Sequence, residues 1–330
     1  MSIGVDAAAL GMSNAVTAHT ADVNSGYWNP AGLMAVEDKQ LGLMHASYFA
    51  NIAQYDYAAF AMPLEDRKSA LGVSIIRFGV DDILNTTQLI DDQGNIDYNR
   101  ISLFSAADYG MTVSYARAAP LDGFTYGVNA KVIRRVIGKF ANSWGFGFDL
   151  GFQYQTRSEW KFGLMLRDIT TTYNVWAIDE DEYATVSGAV DGQNQELPET
   201  SEITLPKAQL GISKKFIFHY DYSLLVAANM NMQFFKTNDI VNLDFVSIDP
   251  AVGFEFGYLD LVFLRGGVGN FQNEKQIDNS TSLSFQPNIG LGFKYKGISV
   301  DYALTDIGDQ SVALYSNIFS LKVDLGIFRR

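Results

Sequence analysis

Trp144-Gly145-Phe146-Gly147-Phe148-Asp149-Leu150-Gly151-Phe152-Gln153-Tyr154 decides the fold. Every second residue is large and apolar, and the residues between are Gly, Gly, Asp, Gly and Gln. A period of two is the signature of a strand with one oily and one polar face. The same alternation returns at Phe285 to Tyr295, where Phe285, Ile289, Leu291, Phe293 and Tyr295 oppose Gln286, Asn288, Gly290, Gly292 and Lys294. It recurs at Tyr109–Tyr115, Trp160–Arg167, Ile298–Leu304 and Phe319–Ile327, and convincing amphipathic helix periodicity is missing after about residue 35.

Extending the pattern along the chain gives about fourteen strands, near 39–48, 52–62, 69–78, 108–118, 123–137, 143–156, 159–169, 206–216, 220–233, 250–258, 261–270, 283–295, 298–305 and 316–328. Most approach the roughly 9–11 residues of a tilted membrane strand and exceed the roughly 5–6 of soluble sheets. Short connections follow alternate strands, and the long ones, including 79–107 and 170–205, therefore fall at one end. Short turns on one side and long loops on the other are the asymmetry of a bacterial outer-membrane barrel. The fold expected is an all-β, antiparallel, up-and-down transmembrane barrel (residues 35–330), preceded by an N-terminal plug (residues 1–34). A soluble β-sandwich is the rival; it would have to hide the aromatic faces between two sheets.

Composition closes other routes. With 330 residues, 48% hydrophobic and no cysteine, the chain can bury a core or coat itself in lipid, but offers no disulfide, thiolate metal site or cysteine nucleophile. Twenty-four Lys+Arg against 37 Asp+Glu, a net charge of −13, oppose a phosphate-binding surface, so nucleic acid is not an expected partner. No apolar run is long enough for a membrane helix, and the start lacks a signal peptide, which for an outer-membrane protein implies a signal already removed.

No catalytic constellation emerges. The glycine spacings Gly145-x-Gly147-x-x-x-Gly151 and Gly266-Gly267-x-Gly269 open no helix, so they read as small lumen-facing residues rather than phosphate loops. His19, His45 and His219 lie in unrelated segments without metal-ligand spacing, and no Gly-x-Ser-x-Gly turn is present. The acidic runs Asp81-Asp82, Asp91-Asp92 and 179–182 read as solvated loop faces; no metal and no soluble cofactor is expected. Charges within the strand pattern, Lys131, Arg135, Asp149, Lys161, Arg167, Lys294 and Asp301, should point into the lumen, because a lipid-facing charge costs roughly 2–4 kcal/mol at the midplane.

The N-terminal run Ile3-Gly4-Val5-Asp6-Ala7-Ala8-Ala9-Leu10-Gly11-Met12, followed by Asp22-Val23-Asn24-Ser25-Gly26-Tyr27-Trp28-Asn29-Pro30-Ala31-Gly32-Leu33, resembles the opening of the PorV/PorQ family. Its Asn-Pro-Ala part is shared with the wider FadL-like barrels. The resemblance implies fourteen strands and an N-terminal hatch whose motif residues are Asp6, Gly11, Met12, Trp28, Asn29, Pro30, Ala31 and Gly32. It further implies a non-enzymatic component of type IX protein secretion in Bacteroidetes-type bacteria, embedded in outer-membrane lipid. Its partners would be the giant translocon barrel or exported cargo bearing a C-terminal signal domain. The alternative is a FadL-like channel for hydrophobic small molecules.

Asn29 is expected to make backbone hydrogen bonds within the hatch, and Ser25 to Leu33 to form a tight turn. Ile83, Leu84 and Leu89 in one long loop, with Tyr173, Trp176 and Tyr183 in another, mix apolar and acidic character as a protein-binding patch does.

Overall fold

The computed structural model describes residues 3–48, 51–65, 68–90, 93–180, 182, 200–275, 280–305 and 316–329. Among these residues, seventeen hydrogen-bonded segments form one closed antiparallel sheet. They amount to fourteen barrel strands, because two strands are split and one segment, Val241–Asn242, is a two-residue flap on its neighbour.

The strands are β1 (Gln40–Tyr48), β2 (Ala53–Pro63), β3 (Ser69–Asn85), β4 (Ser102–Ala118), β5 (Phe124–Ile137), β6 (Ala141–Gln155) and β7 (Trp160–Arg167 with Thr172–Ile178). There follow β8 (Ser201–Thr204 with Lys207–Phe218), β9 (Tyr222–Gln233), β10 (Ser247–Tyr258), β11 (Val262–Lys275), β12 (Thr281–Tyr295), β13 (Ile298–Thr305) and β14 (Ser316–Asp324). Each pairs with the next, and β1 closes the ring on β14, Leu43 opposite Leu321.

The faces sort as the alternation requires. Trp144, Phe146, Phe148, Phe285, Leu291 and Phe293 are exposed on the outside, while Asp149 and Asp301 are buried within. A barrel that is apolar outside and polar inside has satisfied its backbone groups by closure and matches lipid, not water, around it. Trp144, Tyr154, Trp160 and Tyr295 stand exposed towards the strand ends, as interfacial anchors do, whereas Tyr109 is exposed in the middle of β4.

Three departures from the sequence reading have physical causes. β3 and β4 run on well past residues 78 and 108, pairing Ile83 with Phe104 and Leu84 with Leu103 after a register shift at Val80/Ile83. Above the lipid band a ladder no longer needs an oily side, so the alternation fades although the strands continue. The expected loop 79–107 is correspondingly shorter, and Ile83 and Leu84 belong to a strand.

β7 resumes at Thr172 and pairs with the upper half of β6, so Tyr173 and Trp176 also lie in a strand and not in a loop. Tyr173 is exposed on the outside, whereas Trp176, two strand positions from the inward Asn174, stacks under the guanidinium of Arg135. The expected partner patch is therefore divided between the two faces of the wall. Leu89 lies in the connection after β3, while Tyr183, Asp91 and Asp92 lie outside the described residues.

The break in β7 is built by Asp168 and Thr171, both at positive φ. The Asp168 carboxylate accepts from the Thr172 hydroxyl, and its N–H donates to Asp149 Oδ1 at 2.9 Å. In β8 the interruption falls at Leu205 and Pro206, where proline has no N–H for the ladder.

Candidate functional site

Residues 3–36 pack against the inward faces of the strands, and most of them are buried. A short helix, α1 (Ala7–Gly11), is followed by a helical turn at Ser25–Trp28 and a 3-10 turn at Pro30–Ala35. The tight turn expected over Ser25 to Leu33 is thus two helical turns with Asn29 as the joint between them. Asn29 has an extended backbone, the conformation a residue before proline prefers.

Asn29 is fully buried and uses both ends of its amide. Nδ2 donates to the Thr17 carbonyl and, across the lumen wall, to the Phe152 carbonyl, both at 3.0 Å, while Oδ1 accepts from the Ala31 N–H at 3.2 Å. One side chain therefore ties the segment to itself and to β6. Trp28 Nε1 donates to the Val5 carbonyl at 3.0 Å, and the hydroxyls of Tyr27 and Tyr55 converge on the Ile3 carbonyl.

Strand side chains from around the ring hold the rest. Ser320 accepts from the Ala7 N–H, Asn129 donates to the Gly26 carbonyl, Asn229 to the Asn14 carbonyl, Asn288 to Ser13 Oγ, and Arg167 to the Tyr27 carbonyl, at 2.6–3.0 Å. Glycines on the inner wall give the segment room. A Cβ on Gly253 or Gly267 would stand 2.5 Å from Met12 backbone atoms, and one on Gly127 would stand 2.6 Å from the Pro30 carbonyl carbon. The inner-wall glycines that read as merely small thus form a track for the segment's backbone. Gly11 itself lies against Gly290, backbone to backbone.

Each hatch-motif residue makes an identifiable contact or packing. The Asp6 N–H points at Met44 Sδ at 3.0 Å; Ala31 is fully buried, and the close approach of Thr20 and Ser25 explains Gly32.

Two cavities flank the segment. The one at the short-turn end, about 400 Å3, is charged. Arg265 bridges Glu255 and Asp301 at 2.6 Å each, and Lys322 pairs with Asp22 at 2.5 Å. Burial pushes Asp6 up to about 6 against the pull of Lys322, and among the described residues its Oδ1 has no hydrogen-bond partner. Burial works the same way on Asp22, but Lys322 overrides it and holds that carboxyl below the usual range.

The second cavity, about 570 Å3, opens towards the long loops and is lined in part by Ile3, Leu10, Tyr27, Trp28, Tyr48 and Phe78. The rings there meet edge to face, Tyr48 with Phe78 at 6.5 Å and Tyr27 with Trp28 at 5.1 Å. Its opposite wall carries both signs of charge, with Arg167 and Lys207 beside Asp168, Asp239 and Asp249. Arg167 and Lys207 face one another across the β7–β8 ladder, and among the described residues neither has a carboxylate within ion-pair distance. Directly opposed like charges destabilise a sheet. Arg167 instead lies over the Tyr27 ring at 4.8 Å.

Elsewhere the strand charges pair as expected of lumen residues: Lys131 with Asp149 and Asp168 at 2.7 Å, Arg135 with Asp108 at 3.1 Å. The cationic pair and the glycine track escape sequence reasoning, because register is needed to bring Arg167 opposite Lys207.

Comparison with known proteins speaks through structure alone. No family model matches the sequence, and no curated protein does. Among solved structures, the toluene transporter TodX of Pseudomonas putida aligns with a TM-score of 0.59 at 11% identity, over 97% of this chain and 96% of that one. The toluene transporter TbuX of Ralstonia pickettii aligns at 0.56 with 13% identity, over 97% and 98%. A Pseudomonas aeruginosa FadL homologue aligns at 0.54 with 13% identity, over 98% and 99%. At such identities the similarity establishes a FadL-like barrel fold.

Proposed function

We propose that the protein is an outer-membrane channel for small hydrophobic molecules, with residues 1–34 as the hatch across its lumen. The observation that carries this is the long-loop cavity, where aromatic side chains of hatch and wall enclose a space large enough for a small ligand. The solved barrels of the same fold support it, since TodX and TbuX are toluene transporters. The charged wall carries Arg167 and Lys207 beside Asp168, Asp239 and Asp249, so the aromatic side is what selects a small apolar ligand.

Titration with bromobenzene tests this, using a variant in which Trp28 is the only tryptophan. Saturable quenching is expected. Quenching that does not saturate overturns the channel reading.

A role in type IX secretion, with the translocon barrel or cargo as partner, is a second reading carried by the N-terminal motif. Under it, Leu89, Ile83, Leu84, Tyr173 and Trp176 at the long-loop end would meet the partner. Detergent pull-down that recovers a translocon barrel with wild-type chain, and loses it when the connection after β3 is shortened, would favour this reading over the channel.

A further inference from the structure

Among the described residues, Arg134 and Lys214 on the outer face lie over the rings of Trp144 and Trp160, and a third place on that face sets an acid beside a base. His45 on β1 and Asp56 on β2 stand directly opposite in the ladder and both point outward, since their neighbours Met44, Ala46, Tyr55 and Tyr57 fill the inner face. Nδ1 of His45 lies 2.7 Å from Asp56 Oδ1, with the side chains 53% and 46% exposed. Arg77 continues the row on β3 but turns its guanidinium to Asp81 at 2.8 Å. Around the pair the surface is oily: Leu43, Ile75, Val300 and Phe319 are all exposed.

Depth makes the pair unusual. His45 is five residues above the start of β1 and Asp56 seven from the end of β2. At about 3.4 Å per residue and a tilt of about 40°, they stand roughly 13–18 Å above the short-turn rim of an apolar band about 25 Å tall. They therefore face the hydrocarbon, where a half-satisfied ionisable pair is costly. An imidazole has two ring nitrogens and a carboxylate two oxygens that can hydrogen-bond. One of each is used within the chain; His45 Nε2 and Asp56 Oδ2 are the remaining two, at nearly the same depth.

We propose that this face of β14, β1, β2 and β3 is a side-by-side dimer interface with a second copy of the chain. A two-fold axis along the membrane normal, passing between β1 and β2, sets His45 of each copy against Asp56 of the other. The patch is then self-complementary in charge and in hydrogen bonding, as an isologous contact must be. The shallow outer groove floored by Ala58 and walled by Leu43, Ile75 and Phe319 supplies the apolar rim of the contact.

The chain has no cysteine, so single cysteines report cleanly. Leu43→Cys and Ala58→Cys should give a species of twice the chain mass with a short bismaleimide in native membranes, at least tenfold more than Phe254→Cys on the far side. The double variant His45→Leu/Asp56→Leu removes the charges but keeps an oily surface. In the Leu43→Cys background it should fold normally and lose the dimer by a similar factor.

Mass photometry of the unaltered protein in nanodiscs provides a readout that does not depend on any variant, and should show two chains per particle. Single chains there, equal cross-linking from all three cysteines, or cross-links only to a different protein would each overturn the proposal.

Discussion

Replacing Asn29 by alanine isolates what holds the N-terminal segment in the lumen. The substitution removes donors to the Thr17 and Phe152 carbonyls and the acceptor for the Ala31 N–H, in a fully buried setting. Three buried hydrogen bonds at about 1 kcal/mol net each sum to about 3 kcal/mol, with more lost if the carbonyls stay unpaired. Because the strand ladders of the barrel do not involve this side chain, the loss should fall on local opening of the segment and not on global unfolding.

Hydrogen exchange of residues 3–36 in detergent reads that opening directly. An increase of about a hundredfold in exchange follows from about 3 kcal/mol at about 1.4 kcal/mol per tenfold, with strand amides unchanged. Planar-bilayer recording of the same variant should show more frequent open events. Unaltered protection across residues 3–36 would refute the assignment of Asn29 as the tie between segment and wall.

Gly267→Val should displace the segment by steric contact with Met12 and raise its protease sensitivity while leaving the barrel folded; unchanged cleavage would mean the track is not tight. Asp6 is raised by burial, so its neutral form favours docking: that contribution is complete below pH about 4 and disappears as pH rises through about 6. Asp6→Asn should therefore tighten the segment at pH 7.5 and change little at pH 4, read again by hydrogen exchange. The gain at pH 7.5 is up to about 3 kcal/mol, the worth of a rise from the ordinary carboxyl value to about 6 at about 1.4 kcal/mol per pH unit. Arg265→Met leaves Glu255 and Asp301 without their shared cation and should destabilise the protein by roughly 3–5 kcal/mol in denaturant unfolding. Phe148→Arg puts a charge on the lipid face and should cost roughly 2–4 kcal/mol in folding into bilayers, whereas Phe148→Leu should not.

The barrel is legible in the chain wherever lipid and lumen impose opposite demands on successive residues. Between Trp144 and Tyr154 that demand is unbroken, and the strand falls where the alternation places it. Where the demand lapses, as at Ile83 and Leu84 near the long-loop end, the strands continue and the pattern alone shows a loop; Tyr173 and Val175 keep an oily outer side, but the break at 168–171 leaves their run too short to read.

The N-terminal motif is visible as an oddity of composition, but the reason for its glycines and for those of the strands is shared. Gly11 against Gly290, and Met12 against Gly253 and Gly267, are contacts between distant parts of the chain. No local pattern carries them. Arg167 opposite Lys207, and His45 opposite Asp56, likewise depend on register, which the hydrophobic pattern fixes only in parity.

Uptake of radiolabelled toluene by intact cells with an undamaged outer leaflet puts the channel proposal to the most direct test. Cells producing the chain should accumulate label several-fold faster than cells producing none, and Gly267→Val, with its segment displaced, should alter that rate at equal barrel abundance. Uptake equal to that of the empty cells, from a barrel shown to be folded and in the membrane, would contradict a channel for hydrophobic molecules.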